Sequence, residues 1–366
     1  MKNKPLWLKW IFCLIPLLLA ALMYFILPYF PKFTEYVYTR GIFRLTFAFQ
    51  WLVSFIPFSI TEILVLSLVP IIVGLMITFI IKFCRSKNKK STAEKGIRFV
   101  ALCLSLFLFI FMVTDGANFS RLPLYENMKL ESREYTAEDL YQVTSTLAKN
   151  ASAARENLKE DKNGVAKPNL NLNEMLRLAD DSYKNIKKEY PFLITGTRKV
   201  KSVMLSHKWS YTGTTGVYCP WTVETNVNTD VLPFSIPSTA AHEIAHTMGF
   251  AKENECNFLA WLASDTSGMP DFVYSGNLSA FIHCSNALYK ADKDLWRKAV
   301  SNCSEGMIRD LNAKNEYWDK FRGEVMENSQ NVNDTFIKVN GVESGILSYD
   351  EMVELMLRYF DTKDLI

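Results

Sequence analysis

The sequence predicts an α+β protein in which N-terminal membrane-spanning helices precede a mainly helical domain carrying a small β-sheet. Two observations predict it. Three long uncharged apolar runs fall before residue 116, and in the globular stretch that follows, a short segment rich in Val, Tyr and Trp interrupts an otherwise helical period.

The first element is the run from Trp10 to Phe30, followed by Ile63 to Ile81 and Phe99 to Thr114. Each crosses, or nearly crosses, a hydrocarbon layer roughly 30 Å thick at about 1.5 Å rise per helical residue. None has the polar face of a buried soluble helix. The expected spans are about 10–30, 61–81 and 98–115, within a membrane region 1–115. Lys2, Lys4 and Lys9 precede the first run as in a signal peptide, but no small-x-small cleavage site follows, so it reads as a retained anchor. The stretch 41–58, "GIFRLTFAFQWLVSFIPF", contains Arg44 and Gln50 and is expected to lie in the membrane interface. Between the second and third runs, Lys82, Arg85, Lys87, Lys89, Lys90, Lys95 and Arg98 face one acid, Glu94. That excess predicts a cytoplasmic loop and hence an extracytoplasmic domain, 116–366. The net charge of +3 sits largely in that loop and leaves no basic surface for nucleic acid. A transporter would carry polar residues within its spans, and only Glu62, at a segment edge, comes close.

In the outer domain a helix is expected from Thr136 through "TAEDLYQVTSTLAKNASAARENLKE", then a polar linker "DKNGVAKPNLN", then a helix "LNEMLRLADDSYKNIKKEY" ending before Pro191. "RKVKSVMLSHKWS" and "GVYCPWTVETNVN" read as two strands joined across "YTGTTG". After "LPFSIPS" the helical period returns and persists to the end. Cys219, Cys256, Cys284 and Cys303 lie outside the membrane runs and suffice for two disulfides in an oxidising compartment, with no pairing legible.

The chemistry concentrates in "STAAHEIAHTMGFAKENECNFLAWLA", which holds two of the chain's four histidines. Ser238 is the expected helix cap. On a helix His242 and His246 are one turn apart on one face, as a single cation requires. Glu243 flanks that face as a candidate general base for a zinc-activated water. A chance H-E-x-x-H in a chain this poor in histidine is rare. Zn²⁺ needs a third ligand. Lys252 stands where metzincins supply theirs and cannot ligate, which leaves Glu253 or Glu255. Asn257 shares a helical face with Glu253 and is expected to support it.

"HEIAHTMGFAKENECNFLAWLA" resembles the H-E-x-A-H-x-x-G-F-A-x-E-x-E-A-N-F pattern of a bacterial family of membrane-anchored proteins, the domain-of-unknown-function 3810 family. The likeness takes in "GANFSRLPL", "GVYCPWTVETNVN", "LPFS", "YSGNLSAF" and "KVNGVESGILSYDEMVELMLRYF", and Cys256 departs from it where an alanine is usual. More distantly, "ENECNFLA" is similar to the helix of gluzincin peptidases that brings a ligating glutamate and a supporting residue four later. The resemblance implies a zincin-like fold, Glu253 as ligand and Asn257 as support. It also implies a substrate-binding edge strand, for which "WTVETNVN" with Glu224, Asn226 and Asn228 on one face is the candidate. His283, Tyr274 and Tyr349 are candidate oxyanion donors.

The expected function is a zinc metallopeptidase anchored in the bacterial plasma membrane. Its substrates would be peptides or proteins, membrane-bound or of the cell envelope. The alternatives are an amide hydrolase of cell-wall material and a non-catalytic metal-binding or sensor protein retaining the fold. The presence of Glu243 speaks against the last, since a structural site needs no base.

Overall fold

The computed structural model describes residues 5–196, 198–344 and 351–366. Apolar side chains on every face produce α1 (Leu6–Ile26), α3 (Ile60–Arg85) and α4 (Lys89–Thr114), with α2 (Thr46–Ser54) between the first two. Among the described residues, α1 with its extension to Tyr29, α3 and α4 are long and apolar enough to cross a membrane. They associate the chain with a lipid bilayer. The first helix begins at Leu6, earlier than the expected Trp10, and the basic loop is helical except at 86–88, where Asn88 caps α4 through the Ser91 N–H. Most of the cationic residues therefore sit on the ends of two helices rather than in an extended loop.

The segment 41–58, expected in the membrane interface, packs on the protein through buried Phe43, Thr46 and Gln50. Gln50 is buried and donates to the Thr247 carbonyl at 3.2 Å, while Leu45, Phe49, Leu52 and Phe55 are exposed. Most of the large apolar side chains of the segment face outward, as suits a surface turned to lipid, although Phe43 is buried and Arg44 is exposed. The division expected at residue 115 is likewise not a packing boundary. Fully buried Glu35 receives bonds from Arg121, Thr61 bonds Glu224, and Glu62 accepts the Met204 and Leu205 N–H groups.

The remainder begins with α5 (Ala137–Arg155), started by a capping box between Thr136 and Asp139. The expected linker contains a small hairpin, β1 (Lys159–Glu160) with β2 (Ala166–Lys167). The helix expected to reach Pro191 holds as α6 only over Leu172–Leu178. Just beyond it, buried Asp180 accepts from Arg198 and the Gly196 N–H, and shorter helical turns follow.

Three strands replace the two expected. The first run contributes only β3 (Lys201–Ser202), because Glu62 takes the next two free N–H groups and the chain coils into a helical turn at Ser206–Ser210. The second folds back on itself as β4 (Gly216–Cys219) and β5 (Glu224–Val227), through a turn with Val223 at φ 48°. The sheet order is β3-β5-β4, with β5 parallel to β3 and antiparallel to β4 in the register Cys219↔Glu224.

Beside the sheet lie α7 (Ile236–Thr247), α8 (Glu253–Asp265) and α9 (Pro270–Ala291), followed by α10 (Glu305–Asp319), α11 (Glu324–Val339) and α12 (Met352–Thr362). Ala240, Ala241 and Ala245 of α7 are wholly buried, and their small side chains let α8, α9 and β5 approach its axis, while wholly buried Ile244 fills the core between them. Every cysteine is free, so the four outer cysteines form neither of the two disulfides they could supply, and Cys219 and Cys284 act as buried apolar side chains.

Candidate metal centre

Pro237 stands in the first turn of α7, where its missing N–H leaves no helical bond unmade. The expected cap is displaced: Ser235 holds that position, and Ser238 lies inside the helix with its N–H taken by Ser275 Oγ of α9. One turn apart, the rings of His242 and His246 have centroids 4.9 Å apart.

Each ring is held through Nδ1. His242 Nδ1 lies 2.8 Å from Asn257 Oδ1, and His246 Nδ1 lies 2.8 Å from the Phe250 carbonyl. Oxygen acceptors place a proton on Nδ1 and so make Nε2 the nitrogen that each ring offers to a cation. The second acceptor exists because Gly249, at φ 83°, ends the helix in the left-handed region and turns Phe250 back on it. The same carbonyl accepts the Cys256 thiol at 3.2 Å. Cys256 thus helps fix the carbonyl that orients His246, a role its family-atypical identity did not suggest.

The two Nε2 atoms are 3.1 Å apart, and Glu253 approaches them at 3.0 and 3.7 Å. Adjacent donors on a tetrahedral zinc with bonds of about 2.0–2.1 Å are separated by about 3.3 Å. The donor set His-His-Glu and its spacing therefore fit such an ion, with all three ligand atoms within 4.8 Å of one another.

Several expected roles change. Asn257 supports His242 rather than Glu253. Glu255, the alternative ligand, is buried elsewhere and accepts the Leu124 N–H at 2.7 Å. Glu243 is 3% exposed, receives the Tyr218 backbone N–H, and leaves Oε2 without a partner among the described residues. Gly216 of β4 packs against it so closely that a Cβ would stand 2.8 Å from its Cδ.

Electrostatics follow from burial and the Glu253 charge. Burial lowers a histidine, yet at His242 the Glu253 carboxylate outweighs it and the ring is raised to about 9. At His246 burial prevails and the ring is lowered to about 4. Burial pushes Glu243 up to about 8. Near neutral pH the metal-free cluster therefore keeps protons on His242 and Glu243, and a cation must displace the former.

A family model described as a protein of unknown function (DUF3810) matches residues 38–357, which include the whole cluster. The chain belongs to the DUF3810 family. No curated protein and no solved structure matches it.

In this DUF3810 chain the cluster opens into a cavity of about 870 Å³ whose walls include β4, α10, α11 and, from the end of α4, Phe111 and Asp115. The expected substrate strand is not available: β5 is central, paired on both sides. Glu224 is buried against Lys201 and Thr61, Asn226 donates to Thr61, and Asn228 donates to Ser210. The edge on the cavity is β4, where Gly216, Val217 and Tyr218 line the wall. A single run of alternating residues cannot reveal which of two strands ends the sheet.

Among the expected oxyanion donors, Tyr274 is fully buried and donates to Asp310, which also pairs with Arg155. It is structural. His283 lines the cavity, and Tyr349 lies outside the described residues. Reading the sequence missed Gly216, the Phe250 carbonyl and Gln50. The glycine after H-E-x-x-H was the one available signal for the second.

Proposed function

We propose that this chain is a membrane-anchored, zinc-dependent hydrolase of amide bonds in peptides. The observation that carries the reading is the convergence of His242 Nε2, His246 Nε2 and the Glu253 carboxylate beside an unpartnered oxygen of Glu243. His242, His246 and Glu253 would hold the ion. Zinc in such a site supplies Lewis acidity, polarising an amide carbonyl and bringing the pKa of water towards neutrality.

The protein's own groups do the rest. Asn257 and the Phe250 carbonyl keep both Nε2 lone pairs aimed at the cluster. Glu243 accepts the proton of the attacking water and returns it to the leaving amine nitrogen, and its burial favours the neutral carboxylic acid between those transfers. An extended substrate can align along β4, which lies on the cavity wall.

Position favours substrates at the membrane. Trp221, in the turn before β5, donates to the Phe107 carbonyl and stacks on the Phe107 ring at 4.3 Å, about 10 Å along α4 from its end at about 1.5 Å per residue. The cavity wall thus adjoins a membrane helix. The basic residues at the α3–α4 turn support an extracytoplasmic domain. Protease added to intact cells should degrade the C-terminal part, and protection would reverse the orientation.

Metal content of the purified full-length chain tests the reading, since the membrane region and the domain share buried bonds and should not be cut apart. Wild type and Glu243→Gln should each hold about one zinc and His246→Ala none. Wild type alone should cleave a peptide library. Wild type without zinc refutes the proposal, and zinc with equal cleavage by wild type and Glu243→Gln refutes the role of Glu243.

A further inference from the structure

Beyond α4 the exposed large apolar side chains are few, and most stand in three places. Met204 and Leu205 form the first, Val217 and Trp221 the second, and one face of α11 the third. Tyr211, Tyr289 and Leu365 are the others among the described residues, and single exposed side chains of this kind are ordinary.

Each of the three places is tied to a membrane helix. The Met204 and Leu205 N–H groups donate to Glu62, in the first turn of α3, at 2.8 and 2.7 Å. Trp221 donates to the Phe107 carbonyl of α4 and stacks on the Phe107 ring. In α11, Phe336 meets the rings of Phe111 and Phe119 edge-on, and the Val339 carbonyl accepts the Tyr24 hydroxyl of α1 at 2.7 Å. These contacts fall at the end of α1, the start of α3 and the end of α4, which lie on one side of a bilayer that the three helices cross in turn.

Their level is inside the apolar runs. Tyr24 and Phe111 precede the ends of their helices by about 3 and 5 Å, and Phe107 by about 10 Å, at about 1.5 Å per residue. Tyr24 belongs to the uncharged run Trp10 to Phe30, and Phe107 and Phe111 belong to Phe99 to Thr114. On α11, Val325, Val332, Phe336 and Val339 fall within an arc of about 60° at about 3.6 residues per turn. All four are exposed, Val332 by 71%. The opposite face carries Glu327, Asp334 and Lys338.

We infer that these three places form one surface that rests in the lipid interface, with α11 lying in it as an amphipathic helix. Lipid is the occupant because it surrounds the spans at the depth these side chains reach. A second copy of the chain or a soluble partner would have to displace it. Trp221 has the ring type and the level of an interfacial anchor. Val217, Trp221, Val332 and Phe336 also line the cavity. Its rim is therefore part of the lipid-facing surface, whether or not the cluster is catalytic, and a molecule entering there comes from the membrane.

The test is spin labelling of the full-length chain in lipid nanodiscs wide enough for two copies. Met204→Cys, Val332→Cys and Glu327→Cys are labelled one at a time in a background with Cys13, Cys84, Cys103 and Cys303 changed to alanine, leaving the buried cysteines in place. Collisions with oxygen, which concentrates in lipid, and with a water-soluble nickel chelate give the depth of each label. The labels on Met204→Cys and Val332→Cys should lie about 5–10 Å below the headgroups, and the label on Glu327→Cys should lie in water. Nickel access at Met204→Cys and Val332→Cys equal to that at Glu327→Cys overturns the inference, since the surface is then wet. An immobile Val332→Cys label shielded from both reagents also overturns it, because protein rather than lipid then covers α11. The labelled positions are exposed, and melting temperatures equal to wild type verify that each variant is folded. Neither result bears on the metal, which is judged by zinc content.

Discussion

Replacing Asn257 by alanine removes the acceptor that holds His242 at 2.8 Å and leaves the cluster's ligands unchanged. When His242 binds a cation its ring gains positive character, so the lost bond belongs with the charge-assisted kind, worth about 1.5–3 kcal/mol. Partners of this type change metal affinity about 10–100-fold, or about 1.4–2.7 kcal/mol. Part of that is offset. The Asn257 bond also helps keep His242 protonated in the metal-free state, although it matters less there than burial and the Glu253 and Glu243 charges. Without it the proton competes less well with zinc. The net expectation at pH 7 is a loss near the lower end, about tenfold. Competition with a chelator of known affinity, on the full-length chain in detergent, measures it. Asn257→Asp, which restores a stronger acceptor, should recover affinity. A zinc affinity in Asn257→Ala within about threefold of wild type, at unchanged melting temperature, would refute the reasoning. His246 offers no parallel experiment, because its acceptor is a backbone carbonyl.

The metal-free chain should lose stability as pH rises from 6.5 to about 9. His242 is raised from 6.5 to about 9 and Glu243 from 4.5 to about 8, so the folded state binds more protons than the unfolded state across that window. His246, lowered to about 4, is neutral in both states at the alkaline side and does not offset the trend. A melting temperature in chelator that stays flat or climbs over this range contradicts the assignment. Gly216→Ala should lower peptide hydrolysis at least about tenfold while zinc content holds, because the new Cβ displaces the Glu243 carboxylate; unchanged turnover would mean that the carboxylate's position is not critical. Arg121→Met leaves Glu35 buried with only the half-exposed Arg40 and should destabilise the chain by about 3–5 kcal/mol in detergent unfolding. Adding Glu35→Gln should recover part of it, and strict additivity would show that the pair is uncoupled.

The spans and the histidine pair were legible in the sequence because both are local. Hydropathy sums over consecutive residues, and the helical period alone puts His242 and His246 on one face. Glu253 was one of two candidates until the fold turned Glu255 towards the Leu124 N–H. Distant partners decided the rest. Asn257 faces His242 across two helices, Gln50 and Glu62 bond the domain instead of marking a lipid boundary, and Tyr274 serves the Arg155–Asp310 pair. Strand order was equally hidden, since "GVYCPWTVETNVN" contains both the edge strand and the central one, and the alternation of side chains is the same in each. The sequence by itself determined that a membrane-associated chain carries a two-histidine helix, because those properties depend on neighbours within a few residues. Only the tertiary structure decided which carboxylate completes the cluster and which strand edge lines the cavity, because each depends on groups brought together from far apart along the chain.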